Sequence, residues 1–319
     1  MQKKMASRNR LVRAVGSATS YVWFPMVLFV ARYVPRRLAR RVARWLGRGY
    51  FRSRSKYLGA VRKNLSIILE RPPESGVVRE IADAMLSNHF AAWLDFLHFA
   101  SRPSRESARL VESVVGFSRI VEARQHGKGV LLLTAHLGNW EVGSFMLAQV
   151  QMPISVVLVP DIFPGVERMR RRLHAQANVG EIPIDHSFVP TLTVMRALES
   201  NGVVAMQGDR DFDNTGLAVP FFGRDSYFPR GPLRVAMATG AVVLPAFIIQ
   251  VPDGRYRAVV EEPLSIERTG DREAALRTNI ERYVAILESY VREYPEQWYC
   301  FYPFWDDPSR RSAGSEGSR

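Results

Sequence analysis

Between Gly129 and Val260 the chain alternates between two textures. Short aliphatic runs, such as Val130-Leu131-Leu132-Leu133 and Val203-Val204-Ala205-Met206, give way to stretches whose apolar residues recur every three or four positions. The first texture suits a strand buried on both faces, and the second a helix with one buried face. Strands are expected at 129–135, 154–160, 203–207, 242–250 and 256–261, and helices at 139–150, 165–178, 189–200, 230–240 and 272–294. This alternation predicts an α/β fold, a sheet with helices on both faces. Upstream the spacing is helical throughout, with segments at 9–34, 36–50, 54–69, 76–99 and 117–126. Pro35, Pro72-Pro73 and Pro103 separate several of them.

Charge refines this division. Seventeen of the 44 Lys and Arg precede Glu70, the first acidic residue, so the whole positive excess sits in the N-terminal fifth. That fifth also holds the most apolar stretch, an uncharged window from Ala14 to Ala31 at the lower limit for crossing a bilayer. Pro25 interrupts it, and Arg13 and Arg32 flank it. Insertion or interfacial anchoring is one reading; an ordinary buried helix is the other. A secretory signal is a poor fit, because no small-residue cleavage site follows. The next helix sets Leu38, Val42, Trp45 and Leu46 on one stripe with arginines around it, a pattern suited to anionic lipid head groups. A solvated basic face is the plain alternative. No nucleic-acid-binding motif accompanies the charge, so nucleic acid is not an expected partner. The division expected is 1–53 basic membrane-anchor helices, 54–308 one catalytic domain and 309–319 a disordered polar tail. The lone Cys300, among aromatics, excludes an intrachain disulfide and reads as buried.

The candidate chemistry lies where strands end. Thr134-Ala135-His136-Leu137-Gly138-Asn139-Trp140-Glu141 follows the first buried run, and ligands of α/β sheets bind at the carboxyl ends of strands. His136 is a candidate general base, with Glu141 to fix its tautomer and balance the imidazolium. Asn139 reads as the cap of the next helix, which also leaves Glu141 a plain reading as a helix-terminus acid. Backbone N–H groups around Gly138 to Trp140 are candidates for stabilising an oxyanion.

A second strand ends in Gly208-Asp209-Arg210-Asp211, where Arg210 can hold a phosphate or sugar or join a loop ion pair. His136, Glu141, Asp209 and Asp211 match no metal-ligand spacing, and no metal is expected. Arg168, Arg170, Arg171 and Arg172 share a helix, and Arg172 is a candidate for the site. The loop Val219-Pro220-Phe221-Phe222-Gly223 reads as an apolar wall for an acyl chain, with Arg230 beyond it for an anionic head group. His98, His174 and His186 read as surface or packing residues. Neither a G-x-S-x-G elbow nor a nucleotide-binding glycine motif is present.

Several of these features together resemble the lipid A biosynthesis acyltransferases of the lysophospholipid acyltransferase superfamily, which includes the phosphatidylinositol mannoside acyltransferases. They are the His136–Glu141 motif, Arg62–Leu65, Gly208–Asp211, Val219–Gly223, Ala241–Pro245 and Pro295–Trp298, in that order. The resemblance implies a glycerolipid acyltransferase-like α/β fold with a central mixed sheet. It also implies an enzyme on the cytoplasmic face of the bacterial inner membrane that moves an acyl group from acyl carrier protein or acyl-CoA to a glycolipid hydroxyl. No cofactor is implied. Gly138, Asn139, Asp209, Arg210, Asp211, Arg172 and Arg230 are the expected substrate contacts, and lipid A precursor is the leading acceptor. The aromatic run from Trp298 to Trp305 departs from the basic segment of the lipid A enzymes, and the Asp209-Arg210-Asp211 form and the Phe228-Pro229-Arg230-Gly231-Pro232 loop resemble the mannoside branch more closely, so mannosylated, ornithine-type and lysophospholipid acceptors stay in view.

Overall fold

The computed structural model describes residues 26, 29, 32–52, 55–101, 109–149, 151–161, 164–185, 187–268 and 270–305. The tail expected at 309–319 and most of the helix expected at 9–34 lie outside them. Three helices come first: α1 (Arg36–Arg52), α2 (Ser55–Ile68) and α3 (Gly76–Ser101). The α/β part follows as β1 (Val111–Val115), α4 (Phe117–Gln125), β2 (Val130–Thr134), α5 (Trp140–Gln149), β3 (Ile154–Leu158), α6 (Pro164–Gln176), β4 (Val179–Pro183), α7 (Val189–Glu199) and β5 (Val203–Gln207). A hairpin of β6 (Leu217–Phe221) and β7 (Arg224–Phe228) then precedes α8 (Gly231–Thr239), β8 (Val242–Gln250), β9 (Tyr256–Val260) and α9 (Arg272–Glu293).

Seven strands form one sheet in the order β1-β9-β8-β2-β5-β3-β4, parallel throughout except between β8 and β9. The sheet is therefore mixed, as the resemblance implies. Every strand read from the sequence is present. Four more are not among those expected: β1, β4 and the two hairpin strands. Gly180 and Pro183 break the aliphatic texture of β4, and both β1 and β4 lie at the sheet's edges.

Alternate residues of each strand face opposite layers. Val130 and Leu132 point to the side covered by α4 and α5. Leu131, Leu133, Val204 and Val243 point to the larger core with α7, α8 and α9. That core continues through Leu65 of α2 and Leu86 of α3, which pack above the carboxyl ends of the central strands.

Helix α1 is inverted relative to an ordinary surface helix. Its inner face carries Arg36, Ala39, Arg40 and Gly47, and Arg36 and Arg40 both bond the fully buried Asp95 of α3. Gly47 lets the two helices close: a Cβ there would lie 3.0 Å from the carbonyl oxygen of Leu86. The outer face exposes Leu38, Val42, Trp45 and Leu46, with Trp45 73% accessible. Among the described residues no helix is long and apolar enough to cross a membrane.

Candidate active site

The site begins as a matter of register. β2 and β5 pair in parallel with Thr134 opposite Gln207, so two residues further on His136 stands opposite Asp209. The imidazole Nδ1 lies 2.8 Å from Asp209 Oδ1, and the His136 backbone N–H donates to Oδ2 at 3.0 Å. Trp298 Nε1 donates to the same Oδ2 at 3.1 Å. Asp209 thus fixes both the backbone and the ring of His136 from a site with 1% exposure. Burial alone would push its carboxyl up, but His136 and Arg210 reverse this and hold it at about 2. His136 is lowered too, for a different reason: burial lowers it, and Asp209 opposes that only in part. With Nδ1 donating to a carboxylate, Nε2 keeps its lone pair. It has no hydrogen-bond partner among the described residues.

The turn after His136 is held by backbone pairing. Gly138 sits at φ +66°, and a Cβ there would lie 1.9 Å from the Ile248 carbonyl oxygen, so only glycine fits. The Gly138 N–H donates to Gln297 O at 2.9 Å, and the Asn139 N–H to Ile248 O at 2.8 Å. These two donors, expected at an oxyanion, are already engaged. The Asn139 side chain faces inward to Ala92 O and the Tyr256 hydroxyl, and its Oδ1 accepts the Val142 N–H across the first turn of α5.

Glu141 does not occupy the orienting position expected for it. The first turn of α5 directs its carboxylate to His174 Nε2 at 3.1 Å, while His174 Nδ1 meets Glu181 at 2.6 Å. Arg170 bonds Glu181 and Glu167 beneath them. His174, expected at the surface or in simple packing, is instead the buried centre of a charge cluster. Burial lowers its pKa, but the two carboxylates outweigh that and raise it to about 9. Arg170 is the arginine of its run that turns inward; Arg168, Arg171 and Arg172 are exposed.

An apolar cavity of about 350 Å³ lies between α4, α5 and the sheet. Its floor includes Leu132, Thr134, Ala205 and Gln207, and Glu141 is the charged residue on its wall. Trp140 also lines it and meets the His136 ring edge-on at 5.2 Å, so this one indole links the cavity wall to the imidazole. The loop expected to form this wall does not. It is the β6–β7 hairpin, whose Phe221 packs on Trp298, Phe304 and Trp305.

Arg210 donates to Tyr299 O and stacks on the Tyr302 ring. Asp211 accepts the Thr215 and Gly216 N–H groups and closes its own loop. Arg230 precedes α8 and pairs with Glu273 at the start of α9. His89 of α3, which no spacing signals, packs on Tyr299 and Phe301 at 4.9 and 4.8 Å. Burial, then the charges of Arg210 and His136, push it down to about 4, so it is neutral. Cys300 is buried, as expected, and burial raises its thiol to about 12. His186 lies outside the described residues.

A strand-end imidazole on a buried carboxylate, linked by one indole to the wall of an apolar cavity, fits the sequence comparisons. The profile of the bacterial lipid A biosynthesis acyltransferases matches residues 7–306. The chain belongs to this family. It is an acyltransferase. Similar to it is a phosphatidylinositol mannoside acyltransferase of Mycolicibacterium smegmatis, 25% identical over 283 residues, which cover 84% of this chain and 88% of that protein. A protein of the same name from Mycobacterium tuberculosis (CDC 1551 / Oshkosh) is 26% identical over 249 residues, 77% of this chain and 76% of its own.

The His174 cluster has a measurable signature. Because its pKa is raised on folding, the stability from its proton is complete below the ordinary value of 6.5 and disappears as pH rises through about 9. Urea unfolding across that window is expected to show the acyltransferase losing stability, and His174→Gln losing distinctly less. Parallel curves for the two proteins would contradict the cluster as described.

Proposed function

We propose that this acyltransferase moves a fatty acyl group from the thioester of acyl carrier protein or coenzyme A to a sugar hydroxyl of a membrane glycolipid. His136 acts as general base and Asp209 as its orienting partner. The observation that carries the reading is that His136, with Nδ1 held on Asp209 and no partner for Nε2 among the described residues, packs on Trp140 of the apolar cavity's wall. Nε2 takes the hydroxyl proton as the oxygen attacks the thioester carbonyl carbon. The C–S bond then breaks, and the departing sulfur receives the proton from the imidazolium. Asp209 stabilises that cation without taking its proton. The acyl chain lies in the cavity, and Glu141, neutralised by His174, forms part of its wall.

A mannosylated phospholipid is the favoured acceptor. Its support is the name shared by relatives aligned over most of the chain, together with the Asp209-Arg210-Asp211 form and the Phe228–Pro232 loop. Lipid A precursor, the acceptor expected first from the sequence, draws on the family's description alone. Helix α1 rests its exposed stripe on the cytoplasmic face of the inner membrane, with Arg37, Arg41 and Arg48 at anionic head groups. The same basic surface attracts an acidic carrier protein.

Removing the base in His136→Ala is expected to lower transfer from labelled acyl-CoA to extracted glycolipid by about 10²–10⁴-fold. In the parent enzyme kcat/KM should fall on the acid side with a pKa below 6.5. Since Asp209 raises the imidazole's pKa, Asp209→Asn should shift that limb further acid while lowering kcat. Undiminished transfer by His136→Ala would end this mechanism. Ala205→Phe, which fills the cavity floor, is expected to move donor preference toward shorter chains in a kcat/KM series; an unchanged series would place the chain elsewhere. For the acceptor, mass spectrometry of host lipids without the gene should show a mannosylated phospholipid lacking one acyl chain. Loss of a chain from lipid A instead would reverse the choice.

A further inference from the structure

A continuous buried hydrogen-bond path runs from α1 to the turn that carries His136. Arg36 Nε and Nη2 donate to the two oxygens of Asp95 at 2.7 and 2.9 Å, and Arg40 bonds the same carboxylate. The Tyr256 hydroxyl of β9 donates to Asp95 Oδ2 at 2.6 Å, and Asn139 Nδ2 donates to that hydroxyl at 3.1 Å. Gln250 Nε2 reaches the same oxygen at 3.2 Å. Gln250 also exchanges backbone hydrogen bonds with the Gln297 side chain, and Gln297 O receives the Gly138 N–H. The two residues that hold the turn, Gly138 and Asn139, therefore both connect to Tyr256. Asp95 and Tyr256 have no accessible surface, and Arg40 and Asn139 have 6% and 4%.

We infer that Asp95 is a positioning residue for the catalytic turn, and that through it the setting of the turn depends on how α1 is seated on an anionic bilayer. The inference rests on the reading of His136 as the reacting base. A fully buried carboxylate is tolerated only while its cations stay in place. Those cations stand on the inner face of a helix whose outer face exposes Leu38, Val42, Trp45 and Leu46 among Arg37, Arg41 and Arg48. An anionic lipid surface complements both parts of that face, its head groups the arginines and its acyl region the stripe. Binding there favours the population in which Arg36 and Arg40 are locked on Asp95. Asp95 then holds the Tyr256 hydroxyl, which holds Asn139 three residues from His136.

The test is hydrogen–deuterium exchange of the full chain, with and without vesicles of equal parts phosphatidylglycerol and phosphatidylcholine. In the parent protein, vesicles should slow exchange several-fold in peptides covering 36–48 and also in those covering 136–142. Tyr256→Phe keeps the ring and leaves Asp95 its arginines, so it cuts only the hydroxyl link. It should retain the slowing at 36–48 and lose it at 136–142. Asp95→Asn, which keeps the shape but not the charge, provides a second arm and should lose the slowing at 136–142 as well. Vesicle-dependent slowing at 136–142 that persists in both variants overturns the inference. So does parent protein that is slowed at 36–48 alone, or nowhere. No turnover is measured, so a failure here is distinct from a failure of His136→Ala to lose transfer.

Discussion

The chemistry proposed for this protein depends on one ladder of hydrogen bonds, the in-register parallel pairing of β2 with β5. Two strands of equal length, aligned from Val130 with Val203 to Thr134 with Gln207, release their chains at the same level of the sheet. His136 and Asp209 then meet because each lies two residues beyond its strand. A slip of one residue in either strand would turn that strand's side chain to the opposite layer and separate the pair. The Trp298 indole and the Tyr299 N–H, bonded to Asp209 and to the His136 carbonyl, fasten the C-terminal segment over the pair.

Around that pair the molecule separates two buried ionic arrangements with different tasks. At His136–Asp209 the proton balance is left adjustable, since burial and the carboxylate act on the imidazole in opposite directions. At His174 it is fixed, because two carboxylates share one cation and Arg170 neutralises one of them, Glu181, further. The motif's own acid belongs to the fixed arrangement. Glu141 is therefore a charged but neutralised wall beside an apolar cavity, and the adjustable proton remains with His136.

What the sequence makes legible follows from the range over which each signal acts. Strands β2, β5 and β8 are read from local runs, because burial on both faces leaves no polar position in them before the last residue. The edge strand β4 is missed because Gly180 and Pro183 interrupt it, and β6 and β7 because proline and glycine there read as a loop. His136 is found from its position after a strand. Its partner is not, because Glu141 is five residues away while Asp209 is 73 away and is brought near only by strand order. His174 fails for the same reason: its bond to Glu141 spans 33 residues and two helices. Spacing along the chain identifies groups, whereas their pairing is a property of the sheet.

Helix α1 turns Arg36 and Arg40 inward and Leu38, Val42, Trp45 and Leu46 outward, against the usual partition between water and core. Among the described residues an apolar stripe thus lies where surroundings, rather than the fold itself, would cover it. The molecule's solubility is to that extent a property of the medium. In plain buffer that stripe stays in contact with water, at the ordinary cost of exposed apolar area.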